Sequence, residues 1–191
     1  MSGPERHKKD GTGGATVKVL AISALAVALL ALTAAAQMEI TTPPPERSLS
    51  FYNTHNEEHL TVIYKRGKIY IQEGLDNIKH ILRDPLTGEE IPIDPGLLDF
   101  LYDLLHKVGF QGEVHIVCGY RCVETNTLLH NQSSSVVLGS QHIKGRALDF
   151  RLPGVDMKKV WETAKSMKRG GTGYYKASNF VHIDTGPVRS W

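Results

Sequence analysis

Two short runs late in the chain, Ala147–Leu152 and Phe180–Asp184, alternate in character with a period of two. That is the strand period, in which successive side chains leave opposite faces of the backbone. In the first run Leu148, Phe150 and Leu152 share one face, and Ala147, Asp149 and Arg151 share the other. In the second, Val181 and Ile183 oppose His182 and Asp184. Each run is therefore a strand with a buried back and a polar front. Set side by side, two such strands present Asp149 and His182 on one surface.

The segment upstream, Ser140-Gln141-His142-Ile143-Lys144-Gly145-Arg146, adds a second histidine close to Asp149. Gly145 allows a turn or a positive φ between them, so the loop folds the imidazole back over the carboxylate. His142, Asp149 and His182 then form a nitrogen, oxygen and nitrogen donor set that suits one zinc ion and leaves a fourth position for water. From the residues alone two plainer alternatives stand. A strand histidine is often a packed or surface residue, and Asp149 is also a natural buried partner for an arginine.

The pattern Ser-x-His-x-x-Gly-x-Ala-x-Asp over 140–149, followed by the late His182, resembles the zinc peptidases related to D-Ala-D-Ala carboxypeptidases and the hedgehog signalling domain. The similarity is closest to the murein endopeptidase K (YcbK-like) branch. It rests also on Gly119-Tyr120-Arg121, on Gly173-Tyr174-Tyr175, and on Phe180-Val181-His182-Ile183-Asp184-Thr185-Gly186-Pro187-Val188-Arg189. Several spaced motifs in one order over residues 46–191 are far more specific than any of them alone.

The resemblance implies an α+β fold of the hedgehog and DD-peptidase type, an antiparallel sheet with flanking helices, and a zinc peptidase acting on peptidoglycan stem peptides. It implies cleavage of cross-links, those between two diaminopimelate residues first. A D,D- or L,D-carboxypeptidase, or a zinc-stabilised domain that binds wall peptides without cutting them, are the alternatives. Arg121 is implied beside the metal, holding a substrate carboxylate or polarising the scissile carbonyl, a role that its planar charged fork suits. A structural arginine bonded to loop carbonyls is the other reading. Ser140 and Gln141 are expected to flank the substrate, and Tyr174 or Tyr175 to contact it, with packing the plainer role for either strand aromatic.

One departure matters. The carboxypeptidase relatives place a Glu three residues before the last His, and this chain has Asn179 there. Asp184 is the nearest acidic substitute. It serves either as the general base that takes the water's proton or as a support that orients His182 from behind.

The start of the chain is of another kind. Arg6, Lys8, Lys9 and Lys18 precede an apolar run over 19–36 that ends in Ala34-Ala35-Ala36. This reads as a secretory signal peptide cut near Ala36, or, since the run is long enough to span a bilayer, as an uncleaved membrane anchor. Both predict export to the periplasm. Residues 37–45 are a Pro-rich linker. Residues 1–36 hold four of the 22 Lys and Arg and two of the 20 Asp and Glu, so 18 of each remain and the rest is formally neutral. A neutral domain lacks the basic surface that nucleic acid requires, which excludes that partner.

Between linker and site the pattern predicts strands at Leu49–Tyr52 and Leu60–Tyr64, a hairpin through Arg66-Gly67 into 68–71, and a short helix over 75–82. A longer helix over 95–108 is capped by Asp94 and closed by Gly109. Its Leu97, Leu98, Leu101, Leu104, Leu105 and Val108 form a core stripe, and Asp99, Asp103 and Lys107 a solvated face. His55 and His59 are expected as solvated loop residues, and His115 as a core or supporting histidine. The strand Val114–Cys118 leads through Gly119-Tyr120-Arg121 to a helix from Val123 to His130. A polar loop follows to Ser140, and after the Asp149 strand a helix is capped by Asp156. Cys118 and Cys122 flank the Arg121 element. In an exported protein they suggest a short disulfide, with zinc ligation the weaker alternative because no second cysteine pair accompanies them.

Overall fold

The computed structural model describes residues 1, 3, 43–133 and 136–191. The expected signal peptide or anchor, and residues 37–42 of the linker, lie outside these. Among the described residues no helix is long and apolar enough to cross a membrane.

Alternation builds the sheet that organises residues 44–191. The strands are Glu46–Asn53 (β1), His59–Arg66 (β2), Ile69–Tyr70 (β3), Val114–Cys118 (β4), Ala147–Arg151 (β5), Gly171–Tyr175 (β6), Phe180–Asp184 (β7) and Arg189–Ser190 (β8). They lie in the order β3-β2-β1-β4-β5-β7-β6-β8. Most neighbours are antiparallel, but β1 pairs with β4, and β6 with β8, in parallel. The expected antiparallel sheet is thus mixed. The stretch from β1 to β4 is long enough to supply the crossover that a parallel pair needs. At the centre β5 and β7 are antiparallel, with Asp149 directly opposite His182 and Ala147 opposite Asp184.

Four helices complete this α+β unit, Gln72–Ile81 (α1), Pro95–Val108 (α2), Val123–Gln132 (α3) and Met157–Met167 (α4). Asp94 caps α2 by accepting from Gly96 N at 2.8 Å, proline occupies the first turn, and Gly109 closes the helix in the left-handed region at φ 69°. The five leucines of the predicted stripe over 97–105 are buried, and Phe100 joins them. At ~1.5–3 kcal/mol for each buried side chain, that stripe outweighs its cap at ~1 kcal/mol. Asp156 caps α4, whose Met157, Val160 and Ala164 are buried. These helices share one core with Leu148 and Phe150 of β5 and Val181 and Ile183 of β7. The opposite face of those two strands is left for Asp149 and His182.

One expectation about α2 is corrected. Asp99 is no solvated side chain: it accepts from Lys65, Tyr64, Tyr70 and Arg47. Burial opposes its charge, but these donors prevail and hold its carboxyl below the ordinary range.

Candidate active site

The loop between α1 and α2 positions the Arg121 element. Asp84, fully buried, accepts from Leu86 N and Thr87 N on one oxygen and from Cys122 N on the other. Tyr120 N donates to Leu82 O at 2.7 Å. These bonds turn the chain after β4 so that Arg121 is carried inward. Its Nη2 donates to Ser140 Oγ at 3.3 Å. Its Nε is buried and has no partner, and no carboxylate among the described residues pairs with it. The alternative of an arginine spent on loop carbonyls finds no support in these bonds.

His142 opens a short 3-10 turn, His142–Lys144, that Gly145 ends at φ 62°. A Cβ at Gly145 would lie 2.5 Å from Pro92 O, so the position suits only glycine. The turn folds the imidazole over β5 as the spacing predicted. His142 Nδ1 lies 2.7 Å from Gly119 O, which fixes the proton on that nitrogen and leaves Nε2 facing Asp149 Oδ2 at 3.3 Å. His182 is fixed from the other side. Its Nε2 lies 2.8 Å from Asp184 Oδ2 and its Nδ1 2.7 Å from Asp149 Oδ1, so that with Nδ1 on a metal the remaining proton sits on Nε2 and goes to Asp184.

His142 Nε2 and His182 Nδ1 thus converge on the two oxygens of one buried carboxylate. Without a metal such contacts need a proton between nitrogen and oxygen, and a divalent cation held by the two nitrogens and the carboxylate would take the place of that proton, so these residues fit a zinc ion. The electrostatics describe the metal-free pairing. Burial opposes the charge of Asp149, but the two histidines hold its carboxyl well below the ordinary range. The same carboxylate raises His142 against the effect of its burial.

Asp184 lies behind His182 and is fully buried. Its Oδ1 accepts from Gly171 N, Gly186 N and Arg189 Nη1, and its Oδ2 from Arg189 Nη2 as well as His182. Burial opposes its charge, yet these bonds press its pKa down. A carboxylate so strongly stabilised in its charged form is a poor proton acceptor. Asn179, at the position of the missing Glu, sits exposed in a left-handed turn at φ 50° before β7.

A cavity of about 550 Å³ opens over Asp149, His142 and His182. Arg121, Ser140 and Gln141 line it. Tyr174 does not: it stacks on Trp161 of α4 at 6.2 Å, on the core side, and the next residue, Tyr175, faces the cavity. The strand period makes the two tyrosines exclusive, and the sequence gives no clue to which face is which. Arg189 and Trp191 also line the cavity and went unpredicted as wall residues. Arg189 lies within a motif already noted, whereas a terminal tryptophan carries no local signal. Among the described residues, Asp149 is the only carboxylate in the lining.

Cys118 and Cys122 are both free, and the expected disulfide is not formed. Cys122 Sγ caps α3 by accepting from Thr125 N at 3.4 Å, while Cys118 stands opposite Asp149 across a bulge between β4 and β5. His115 packs edge-on against Tyr52, removed from the ligand cluster.

The family model described as peptidoglycan L,D-endopeptidase MepK (Peptidase_M15_2) matches residues 41–191. The chain is 40% identical over 174 residues to the peptidoglycan L,D-endopeptidase MepK of Escherichia coli, covering 91% of this chain and 95% of that one. The protein of that name from Shigella flexneri matches to the same extent. The probable peptidoglycan L,D-endopeptidase MepK of Haemophilus influenzae is 37% identical over 175 residues, 91% of this chain and 94% of its own. No solved structure matches.

Proposed function

This chain belongs to the MepK family of M15 peptidases, and from that premise we propose that it hydrolyses peptide cross-links of peptidoglycan, at the bond joining two diaminopimelate residues. The observation that carries the reading is the convergence of His142 Nε2, His182 Nδ1 and both oxygens of Asp149 below an open cavity. These three residues hold one zinc. When bound, zinc acidifies a water and polarises a carbonyl, which is the chemistry that peptide hydrolysis needs.

The chain's own groups do the rest. Gly119 O and Asp184 fix the two imidazoles, so that the ligating nitrogens are set before substrate arrives. Asp184 is thus a positioning residue. Arg121 offers the cavity a buried guanidinium whose Nε has no partner, and a stem-peptide carboxylate is the anion it would bind bidentately. Ser140 steadies that guanidinium. Tyr175, Phe180 and Trp191 supply an apolar wall for the peptide's aliphatic parts. The basic and apolar start of the sequence supports export to the periplasm, where this substrate is found.

The test is incubation of the purified, zinc-supplied protein with cross-linked muropeptides, followed by mass spectrometry. New uncross-linked products, lost on chelation and regained with zinc, are expected. Intact cross-links after incubation with a stoichiometrically zinc-loaded protein would refute the proposal.

A further inference from the structure

One pleat along the strands from Asp149 and His182, the same face of the sheet carries a second row of side chains. Tyr52 of β1 pairs with His59 of β2 on one side and with His115 of β4 on the other, and His115 pairs with Arg151 of β5. Arg151 leaves β5 on the face of Asp149, two residues away. Beyond it Phe180 of β7 pairs with Tyr175 of β6, and both line the cavity. Ring centroids lie 4.7 Å apart between Tyr52 and His59, 4.9 Å between Tyr52 and His115, and 4.4 Å between Tyr175 and Phe180. Arg151 joins the outer half of the row to the cavity, because its Nε and Nη2 donate to the carbonyl of Ser178 in the cavity wall.

The fold leaves polar atoms of this outer half unused. Among the described residues the Tyr52 hydroxyl, both ring nitrogens of His115 and Arg151 Nη1 make no hydrogen bond, and no carboxylate pairs with Arg151. All three side chains are only partly buried. Ring surfaces with free polar edges match a sugar ring, which offers CH faces for stacking and hydroxyl and acetamido groups around its rim. Reach agrees with this chemistry. At ~3.3–3.6 Å per extended residue, the few residues of a stem peptide set its sugar on the order of 10 Å from the bond over the metal. At ~4.7–4.9 Å per strand, β4 and β1 lie about 10–15 Å from β7.

We propose that Tyr52, His115 and Arg151 form a saccharide-binding surface, which seats the glycan strand whose stem peptide enters the cavity. The inference rests on the peptidoglycan reading above and deepens it. Continuity with the cavity wall favours a ligand covalently joined to the cavity's own substrate over a separate partner. Sugar-bearing wall fragments are then better substrates than the same peptides without sugar.

The test compares cross-linked muropeptides that keep their disaccharides with the same peptides stripped of sugar, and uses peptide-free glycan strands as a binding probe in calorimetry. The zinc-supplied full-length protein is expected to bind the glycan strands and to show the lower KM on the sugar-bearing substrate. Tyr52→Val and His115→Val are each expected to weaken glycan binding and raise that KM ~2- to 10-fold, the range of one aromatic contact or one net hydrogen bond. Turnover of the sugar-free peptide is expected to stay unchanged, which also reports that the variants are folded; valine is a strong strand former.

Equal KM on both substrates with no glycan binding would overturn the saccharide surface and leave the peptidase reading standing. An equal rise in KM on the sugar-free peptide would put the two residues in the peptide's path and would also overturn it. Glycan binding lost in both variants, with neither substrate cleaved by the unaltered chain, would uphold the surface and refute the peptidase. Self-association in sedimentation that either variant abolishes, without glycan binding, would make the row an interface between copies of this chain and overturn the proposal.

Discussion

Asp184→Asn keeps the shape of the side chain and removes its charge. The carboxylate takes three donors on Oδ1, at 3.1, 2.8 and 3.1 Å, and two on Oδ2, from His182 Nε2 at 2.8 Å and Arg189 Nη2 at 2.6 Å. An amide retains one acceptor and turns the other position into a donor. With its oxygen on the three-donor side, the new NH2 group meets His182 Nε2 and Arg189 head on. His182 escapes the conflict by moving its proton to Nδ1, the nitrogen needed for zinc. The lost charge-assisted bond to a buried partner costs ~1.5–3 kcal/mol. The Arg189 pair adds no more than ~1 kcal/mol, because that side chain is 43% exposed and solvent screens it. A total of ~1.5–4 kcal/mol lowers Tm by roughly 3–16 °C in a domain of this size. The misplaced proton weakens zinc by ~10–100-fold, with turnover largely restored at saturating metal. Thermal melts, chelator competition and muropeptide turnover on one preparation decide the matter. Unchanged zinc affinity with turnover down ~10²–10⁴-fold would make Asp184 a proton carrier and refute the positioning role.

Arg121→Met removes a buried guanidinium that lacks a carboxylate partner. Tm is expected to hold or rise, while KM for a peptide bearing a free carboxylate rises roughly 10- to 100-fold, from the ~1.5–3 kcal/mol of a charged hydrogen bond. Gly173→Ala places a Cβ 2.5 Å from the Trp191 indole. Displacing that wall is expected to raise KM ~2- to 10-fold, the range of one aromatic contact at ~0.5–1.5 kcal/mol, with zinc content unchanged. Acid should unfold the domain through Asp84, Asp99 and Asp184, whose carboxyls are all held below their ordinary values. Their contribution is complete above the unfolded value near ~3.9 and is lost as pH falls through it toward the lower folded values. Melts from pH 7 to 2 should therefore drop most steeply below about pH 4, and Asp99→Asn should flatten that slope.

Strand and helix periodicity made the centre of this molecule legible. Leu148, Phe150, Val181 and Ile183 could face only a core, which left Asp149, His182 and Asp184 on the opposite surface, and Asp94 with Gly109 marked both ends of α2. Long-range partners carried no such signal. Asp99 reads as one more polar residue of an amphipathic helix, and nothing local shows that Lys65, Tyr64 and Tyr70 meet it from the sheet. Asp84 organises the Arg121 loop from 37 residues upstream. The parallel pairing of β1 with β4 depends on which strands become neighbours, which periodicity leaves open. The cysteine pair misled for a similar reason: close spacing brings two thiols near in sequence, but a strand end and a helix cap send their sulfurs to different partners.

The central claim is that the site is built around a zinc held by His142, Asp149 and His182. Anomalous diffraction at the zinc edge, from crystals of protein grown with stoichiometric zinc, tests it most directly. A single peak about 2.0–2.2 Å from His142 Nε2, an Asp149 oxygen and His182 Nδ1 is the predicted result. Zinc bound at full occupancy elsewhere, as at Glu89, Cys122 and Glu124, whose ligand atoms lie within 4.8 Å of one another, with His142 and His182 still turned onto Asp149, would contradict it.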